Sequence, residues 1–188
     1  MELMQMREKL SGMLLEKRFR HSVLVMETAE HMARQYGADV EKAKIAGLLH
    51  DCAKNFTVEQ MLDKCSQYGI VLDDVARQQT GLIHGFLGAA MLQDTFGVDD
   101  PEIYDAVYYH TVGKPGMPLL TKIIYIADGI EPSRAFDGVD RVRELAQTDL
   151  DRALVLQIDL TIRSVLSKGT LLHTNTVDTR NYYLRKIR

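Results

Sequence analysis

The adjacent residues His50 and Asp51 place an imidazole nitrogen and a carboxylate oxygen side by side. Both atoms can bind one divalent cation, provided that further histidines and carboxylates arrive from elsewhere in the fold. The sequence supplies four candidates for that role, namely His21, His84, His110 and Asp128. A His-Asp pair alone is most often a surface hydrogen bond. The hypothesis of a metal site therefore depends on these four partners.

Asp128 directly follows the apolar run Ile123–Ala127. Burial of an unpaired carboxylate is costly, so Asp128 needs either a metal or a cationic side chain beside it. We interpret Asp128 as a metal ligand, and the alternative is a structural salt bridge. In a continuing helix, Glu131 and Arg134 would lie on the same face as Asp128. The alternative for Glu131 and Arg134 is an exposed ion pair that contributes little to the free energy of unfolding.

Two further cations lie close to candidate ligands. In a helix over residues 39–53, Lys54 would neighbour both His50 and Asp51, where it could contact a phosphate. The alternative is a solvated lysine at a helix C-terminus. Arg18 precedes His21 by one turn of an amphipathic helix and lies on the same side of it.

The remaining histidines differ in their settings. His84 opens a helix whose next residues are small, which allows another element to approach, and His110 ends a helix. For both, a helix-end histidine without a metal is the alternative. His31 is rotated by about 80° from His21 around an ideal helix, so it is not expected to bind the same ion. His173 precedes a polar helix start and is also excluded.

The elements that would position these residues are all predicted to be helical. No run of two-residue alternation indicates a strand, and glycines, Thr57-Gln60 and Asp100-Pro101 have the spacing of helix caps. The predicted helices span about residues 3–17, 20–36, 39–53, 57–68, 72–79, 84–96, 101–111, 118–130, 139–146, 149–168 and 176–187. The fold class predicted is all-α.

Composition excludes several other functions. A chain of 188 residues with a net charge of −3 has no broad basic character, so we expect no nucleic-acid binding. No apolar stretch reaches the ~20 residues of a membrane span, and residues 1–9 do not resemble a signal peptide, so we expect no membrane association and a cytoplasmic location. Cys52 and Cys65 are too few for a thiolate site or a disulfide scaffold.

The order of His21, His50-Asp51 and Asp128 resembles the H…HD…D signature of the HD-domain metal-dependent phosphohydrolases. Four segments carry the closer likeness: Arg18–Ser22, His50–Lys54, Tyr109–Gly113 and Lys122–Arg134. Together they resemble the YqeK-type branch, the symmetrical bis(5'-nucleosyl)-tetraphosphatases. The likeness extends from about residue 18 to about residue 183. It implies one compact helical HD domain over 1–188, with a core at about 18–134 and C-terminal helices over 139–187 packing on it.

The resemblance also implies a centre of two metal ions, usually iron. His21, His50, Asp51 and Asp128 would hold one ion. His84, His110 and a bridging Asp51 would hold the other. Manganese, cobalt or zinc would also suit imidazole and carboxylate ligands. A homodimer is a further possibility that the family raises.

The implied reaction is the hydrolysis of diadenosine tetraphosphate to two ADP, with in-line attack by a hydroxide that bridges the two ions. We predict catalytic roles for Asp51, Lys54 and Glu131, with Glu131 orienting the reacting water. The predicted substrate-binding residues are Arg18, Lys54, Thr111, Gly113, Lys114 and Arg134. The choice of metal, the nucleobase preference and the general acid are open at this point.

Two other functions fit the same residues. One is a different HD nucleotide phosphohydrolase, either a 5'-nucleotidase or a cyclic-nucleotide phosphodiesterase. The other is a non-catalytic sensor that binds a nucleotide at a di-metal centre. The presence of Lys54, Glu131 and Arg134 beside the candidate ligands favours catalysis, because a metal store would not require them.

Overall fold

The computed structural model describes all residues 1–188, and it consists of helices and turns without a β-strand. The α-helices are α1 (Leu3–Met13), α2 (Glu16–Tyr36), α3 (Val40–Leu49), α4 (Val58–Gln67), α5 (Asp74–Gln78), α6 (Ile83–Met91), α7 (Pro101–Tyr109), α8 (Leu119–Ile130), α9 (Val139–Leu145), α10 (Leu150–Ser167) and α11 (Thr174–Lys186). The all-α prediction is confirmed. No helix combines the length and the hydrophobicity that a membrane span requires.

Local capping interactions explain where several helices begin. Thr57 and Gln60 form the predicted capping box at the start of α4, and Asp100 caps α7 ahead of Pro101. Asp39 caps α3 by accepting a hydrogen bond from the backbone of Lys42. Side-chain oxygens at these positions bind backbone N–H groups that the first helical turn leaves unpaired.

Several helix boundaries differ from the sequence prediction, among them the end of α1, which lies at Met13 rather than at residue 17. α2 begins at Glu16, so Arg18 and His21 lie on the same helix. α3 ends at Leu49, and turns follow through residue 55. The His50 ring bonds the Gly47 carbonyl, which a continuing helix would offer to the N–H of Asp51. The predicted helix over 84–96 ends in a π-helical segment, Leu92–Phe96.

α8 is the central helix, and it packs against α2, α3, α7 and α10. Its buried side chains include the whole apolar run Ile123–Ala127 that precedes Asp128. A continuous hydrophobic core includes side chains from Met6 to Tyr183, and α10 packs against both α9 and α11. A smaller core joins α4, α5 and α6. This arrangement brings the C-terminal ends of α3, α7 and α8 near one another.

α2 and α3 approach closely at Gly47, which is buried. A Cβ atom at this position would lie 2.8 Å from the Cα of Met26 and 3.1 Å from its backbone nitrogen. A backbone obstacle of this kind cannot move without displacing a whole helix. The absence of a side chain at Gly47 therefore sets how near His21 on α2 comes to His50.

We predict that Gly47→Ala lowers the free energy of unfolding by about 1–3 kcal/mol, because the added methyl group forces α2 and α3 apart. Urea denaturation of the purified protein measures this change. Gly12→Ala on α1 is the matched control, since nothing lies within 4 Å of a Cβ at Gly12. It should leave the protein at least as stable as the parent. An unchanged denaturation midpoint for Gly47→Ala would contradict the close-contact explanation.

Candidate metal centre

Six side chains from five helices or their adjoining turns converge at one place. They form three overlapping groups, in each of which the candidate ligand atoms lie within 4.8 Å of one another. His21 comes from α2, His50 and Asp51 from the end of α3, His84 from the first turn of α6, His110 from the end of α7 and Asp128 from the last turn of α8. The structure thus brings together every residue predicted from the sequence as a ligand.

One carboxylate oxygen of Asp51 faces the first group of candidate ligands. Its Oδ2 lies 3.4 Å from His50 Nε2 and 3.8 Å from His21 Nε2. Those two nitrogens are 3.3 Å apart, and Asp128 Oδ1 lies 3.0 Å from His21 Nε2. Two imidazoles and two carboxylates therefore surround one point.

The other oxygen of Asp51 faces the second group. Its Oδ1 lies 2.9 Å from His84 Nε2 and 3.6 Å from His110 Nε2. These two nitrogens are 3.1 Å apart. Because each oxygen of the Asp51 carboxylate serves a different group, this side chain has the geometry of a bridge between two cations.

Backbone hydrogen bonds fix the orientation of three of the four imidazoles. In each, Nδ1 lies 2.7 Å from the carbonyl oxygen three residues earlier. The pairs are His50 with Gly47, His84 with Gly81 and His110 with Val107. A carbonyl can only accept, so Nδ1 carries the hydrogen and Nε2 is free to bind a cation.

Small residues let α6 approach the end of α7, as the sequence predicted. A Cβ atom at Gly85 would lie 3.3 Å from both Cε1 of His110 and the carbonyl oxygen of Tyr108. The glycine next to His84 therefore permits the His84 and His110 rings to lie edge to face, with centroids 5.0 Å apart.

Glu131 orients the fourth imidazole, that of His21. Its side chain is fully buried, and Oε1 lies 3.0 Å from His21 Nδ1. Both carboxylate oxygens also accept hydrogen bonds from Ser133, from its backbone N–H at 2.6 Å and its hydroxyl at 2.5 Å. Burial would raise the pKa of Glu131, but the contacts with Ser133 and His21 lower it below its usual value. The ionised Glu131 carboxylate thus contacts Nδ1 of His21, while Nε2 of the same ring faces Asp51 and Asp128.

The helix predicted over 118–130 ends where α8 does, so Glu131 and Arg134 do not lie on a continuing helix with Asp128. α8 ends at Ile130, and Glu131 has an extended backbone, with φ −52° and ψ 155°. The residue before a proline is driven out of the helical region, and Pro132 follows Glu131. Pro132 was the signal in the sequence that marks this boundary.

We predict that Glu131→Gln weakens metal binding by about 10- to 100-fold, because a neutral amide accepts the His21 N–H less strongly and makes the ring a poorer ligand. Competition with a chromogenic chelator measures the affinity. Glu27→Gln, at an exposed position on the same α2 helix as His21, is the control and should bind metal as the parent does. Equal affinities in the two variants would exclude this role for Glu131.

The pKa shifts of the candidate ligands favour the binding of a cation. Burial lowers the pKa of His84 to about 4, which leaves this ring neutral at physiological pH. Burial would raise the pKa of Asp51, but His50, His110 and His84 lower it well below its usual value. Burial would also lower the pKa of His50, yet Asp51 raises it, so a metal would have to displace a proton from this ring.

Asp128 has a cationic partner, one of the two possibilities considered from the sequence, and it also contacts the candidate ligand His21. Arg134 Nη2 lies 2.5 Å from Asp128 Oδ1 and 3.3 Å from His21 Nε2. Arg134 Nε also donates to the backbone carbonyl of Asp128 at 2.7 Å. The carboxylate is therefore shared between a candidate metal ligand, His21, and a cation that is about one-third exposed, with 34% of its side chain accessible.

Arg18 and Lys54 bring two more cations to the centre. Arg18 Nη1 donates to Asp51 Oδ2 at 2.7 Å. Lys54 Nζ lies 3.1 Å from His84 Nδ1, although Lys54 follows a turn rather than continuing α3. Burial lowers the pKa of Lys54. Both cations line one cavity beside the centre.

The other three residues predicted to bind substrate differ in their surroundings from Arg18, Lys54 and Arg134. Thr111 borders a second cavity next to His110. Gly113 packs against Thr179, which a Cβ at Gly113 would approach to 2.9 Å. Lys114 forms an ion pair with Asp105 and lies over the ring of Tyr109. Gly113 and Lys114 border neither cavity beside the centre.

The two histidines excluded from the site lie away from the centre. His31 is exposed on α2. His173 caps α11 by accepting from the Asn175 backbone, and its Nε2 lies 2.7 Å from Asp73 Oδ2. Both cysteines are buried and free.

Arg143 on α9 is a residue that the sequence reasoning missed. Its guanidinium donates to three carbonyls of the turn after α8, those of Ile130 at 2.9 Å, Glu131 at 3.0 Å and Arg134 at 2.8 Å. It therefore holds the turn that carries Glu131 and Arg134. No local motif marks Arg143, because its partners are set by how α9 folds back on α8.

A family model described as "HD domain" matches residues 18–133, which include all six candidate ligands. The chain belongs to the HD-domain family. This HD domain is 43% identical over 172 residues to a protein of Bacillus subtilis (strain 168) named "Bis(5'-nucleosyl)-tetraphosphatase, symmetrical", with 90% of each chain covered. It is 38% identical over 175 residues to a protein of the same name from Halalkalibacterium halodurans, with 91% of each covered.

A solved structure is also similar to this HD domain. It is the crystal structure of a "predicted HD superfamily hydrolase involved in NAD metabolism" from Clostridium acetobutylicum. The TM-score is 0.95 at 43% sequence identity, with 99% of this chain and 98% of the other covered. Together with the two relatives, it confirms the resemblance predicted from the four sequence segments.

Proposed function

We propose that this chain is a symmetrical bis(5'-nucleosyl)-tetraphosphatase, a hydrolase that converts diadenosine tetraphosphate and water into two ADP. The observation that carries the proposal is the Asp51 carboxylate, whose two oxygens face two separate groups of imidazoles within an HD domain. Relatives at 43% and 38% identity bear the name of this activity.

The donor set fits a pair of transition-metal ions. Four imidazoles present Nε2, two carboxylates lie among them, and no thiolate takes part. These donors suit iron, manganese, cobalt or zinc, and we propose iron. When bound, such ions lower the pKa of a coordinated water and neutralise the charge of phosphate oxygens.

The surrounding charges suit a polyphosphate although the protein as a whole has a net charge of −3. Lys17, Arg18, Lys54 and Arg134 line the cavity that includes His21, where Glu131 is the single acidic residue. Local cations of this kind attract an anionic substrate against the sign of the whole molecule. Arg134 can bind two phosphate oxygens at once through its planar guanidinium.

The overall reaction balances without a further reactant. The oxygen of water forms a bond to one of the two central phosphorus atoms, and the bond from that phosphorus to the central bridging oxygen breaks. The electron pair of the broken bond stays on the bridging oxygen, which leaves as part of the second ADP, and the protons of the water pass to solvent. Lys54 and Arg134 neutralise non-bridging oxygens as negative charge builds up on them.

Product analysis tests the proposal. Diadenosine tetraphosphate is incubated with metal-loaded protein, and the products are separated by anion-exchange chromatography. ADP alone is the expected product. ATP with AMP, or free phosphate, would contradict symmetrical cleavage. Turnover of AMP or cyclic AMP in place of the dinucleotide would favour the other HD phosphohydrolases, and nucleotide binding without turnover would favour a sensor.

The organisation of the protein is part of the same proposal. We treat residues 1–188 as one catalytic domain, since the hydrophobic core includes side chains from Met6 to Tyr183. The cytoplasmic location and the homodimer stay predictions. Sedimentation velocity of the purified protein measures the oligomeric state directly.

A further inference from the structure

Two cavities flank the candidate metal centre. The first, which we call the α2 cavity, has a volume of about 640 Å³ and lies beside Lys17, Arg18 and Asn55. The second, the α10 cavity, has a volume of about 840 Å³ and lies beside Tyr125, Gln157 and Arg163. Both volumes fall within the ~300–1,000 Å³ range of small-molecule sites in proteins.

The two cavities meet at the centre. His21 lines the α2 cavity, whereas His110 and Asp128 line the α10 cavity. Their walls share two residues, Arg134 and Phe136. The candidate ligands therefore lie between two spaces of similar size, and a cation and an aromatic ring lie at the junction.

We propose that the α10 cavity holds one nucleoside of the dinucleotide while the α2 cavity holds the other, so that the polyphosphate crosses the metal centre beside Arg134. This inference rests on the proposed function and assigns the ends of its substrate. A substrate held at both ends has its central bond over the centre. Symmetrical cleavage then follows from the position of the cavities.

The walls of the α10 cavity have the chemistry that a nucleoside requires. Gln157 is only 7% exposed, and its Nε2 donates to the Tyr125 carbonyl at 2.7 Å. Its Oε1 has no hydrogen-bond partner. A buried acceptor without a donor is unfavourable, and an N–H group of a base would satisfy it.

Aromatic and cationic side chains complete the site. Phe136 is 41% exposed at the junction of the two cavities, where its ring offers a face on which a base can stack. Arg163 and Lys168 are exposed on the outer wall of the α10 cavity. They are placed to attract a phosphorylated nucleoside, while Asp137 on the same wall partly offsets their charge.

Two variants test the proposal. Ser164→Trp places a large side chain of helix α10 inside the α10 cavity. The double variant Arg163→Ala/Lys168→Ala removes two cations from the cavity wall and leaves the cavity open. Because a base can no longer enter and stack in the filled cavity, we expect kcat/KM for diadenosine tetraphosphate to fall about 10- to 100-fold in Ser164→Trp, mainly through KM. Arg152→Ala, an exposed position on α10 that borders neither cavity, is the control and should match the parent.

Equilibrium binding of the product gives an independent readout. Isothermal titration of ADP into metal-loaded protein should give two equivalents per chain for the parent and for Arg152→Ala, and one for Ser164→Trp. The double variant should bind its second ADP at least about tenfold more weakly, and it tests the proposal even if the tryptophan variant does not fold. One ADP per parent chain, or two in both variants with parent kinetics, would overturn the assignment.

The experiments distinguish an error in the proposed function from an error in this inference. If the parent does not release ADP from diadenosine tetraphosphate, the function itself is wrong. If the parent does release ADP but the α10 variants retain parent kinetics and ADP stoichiometry, only the assignment of the second nucleoside is wrong.

Discussion

Replacing Asp51 with alanine is expected to remove both metal ions and hydrolysis together. Each of its carboxylate oxygens faces a different group of imidazoles, with Oδ1 2.9 Å from His84 Nε2 and Oδ2 3.4 Å from His50 Nε2. The variant therefore lacks a ligand in both halves of the centre. Metal ions supply several kcal/mol of transition-state stabilisation, so we expect turnover to fall at least ~1,000-fold.

Elemental analysis distinguishes a bridging carboxylate from one that serves a single ion. Asp51→Ala should lower the content of both ions, whereas His84→Ala should affect mainly one, because His84 belongs to one group only. His31→Ala, at an exposed position outside the centre, should behave as the parent does. Circular dichroism confirms that each variant is folded. Two ions and parent turnover in Asp51→Ala would exclude the bridging role.

The ligands could be predicted from the sequence because the order of His21, His50-Asp51 and Asp128 resembles that of the HD-domain phosphohydrolases. The position of Asp128 after the apolar run Ile123–Ala127 gave a physical reason to expect a metal or a cation beside it, and Asp128 lies in the centre. Helix caps such as Thr57 with Gln60 likewise depend on short-range spacing, which the sequence displays directly. Features that are set by neighbouring residues were therefore accessible without a structure.

The surroundings of the ligands could not be predicted in the same way. The end of α3 at Leu49 depends on the bond between the His50 ring and Gly47, and no residue from 50 to 54 is a helix breaker. The contact of Arg143 with the turn after α8 and the position of Gln157 at the α10 cavity depend on long-range packing. Helix periodicity carries no information about which distant side chain meets a given carbonyl.

Arg134→Ala is expected to reduce kcat/KM for diadenosine tetraphosphate by about 10- to 100-fold, mainly by raising KM. Its guanidinium lies at the junction of the two cavities and donates to Asp128 Oδ1 at 2.5 Å. Hydrogen bonds to charged groups contribute about 1.5–3 kcal/mol, and each 1.36 kcal/mol corresponds to a factor of ten. Steady-state kinetics across a range of substrate concentrations separates KM from kcat.

A lysine at the same position shows which property of Arg134 matters. Arg134→Lys keeps the positive charge but loses the planar fork that can donate to Asp128 and a phosphate together. If the charge alone attracts the polyphosphate, the lysine variant should recover most of the lost KM. If the fork is needed, it should resemble alanine. Arg20→Ala, at an exposed position on α2 that borders neither cavity, should leave KM unchanged. Parent KM in Arg134→Ala would mean that this guanidinium serves Asp128 only, since an arginine that binds phosphate in the ground state must affect substrate affinity.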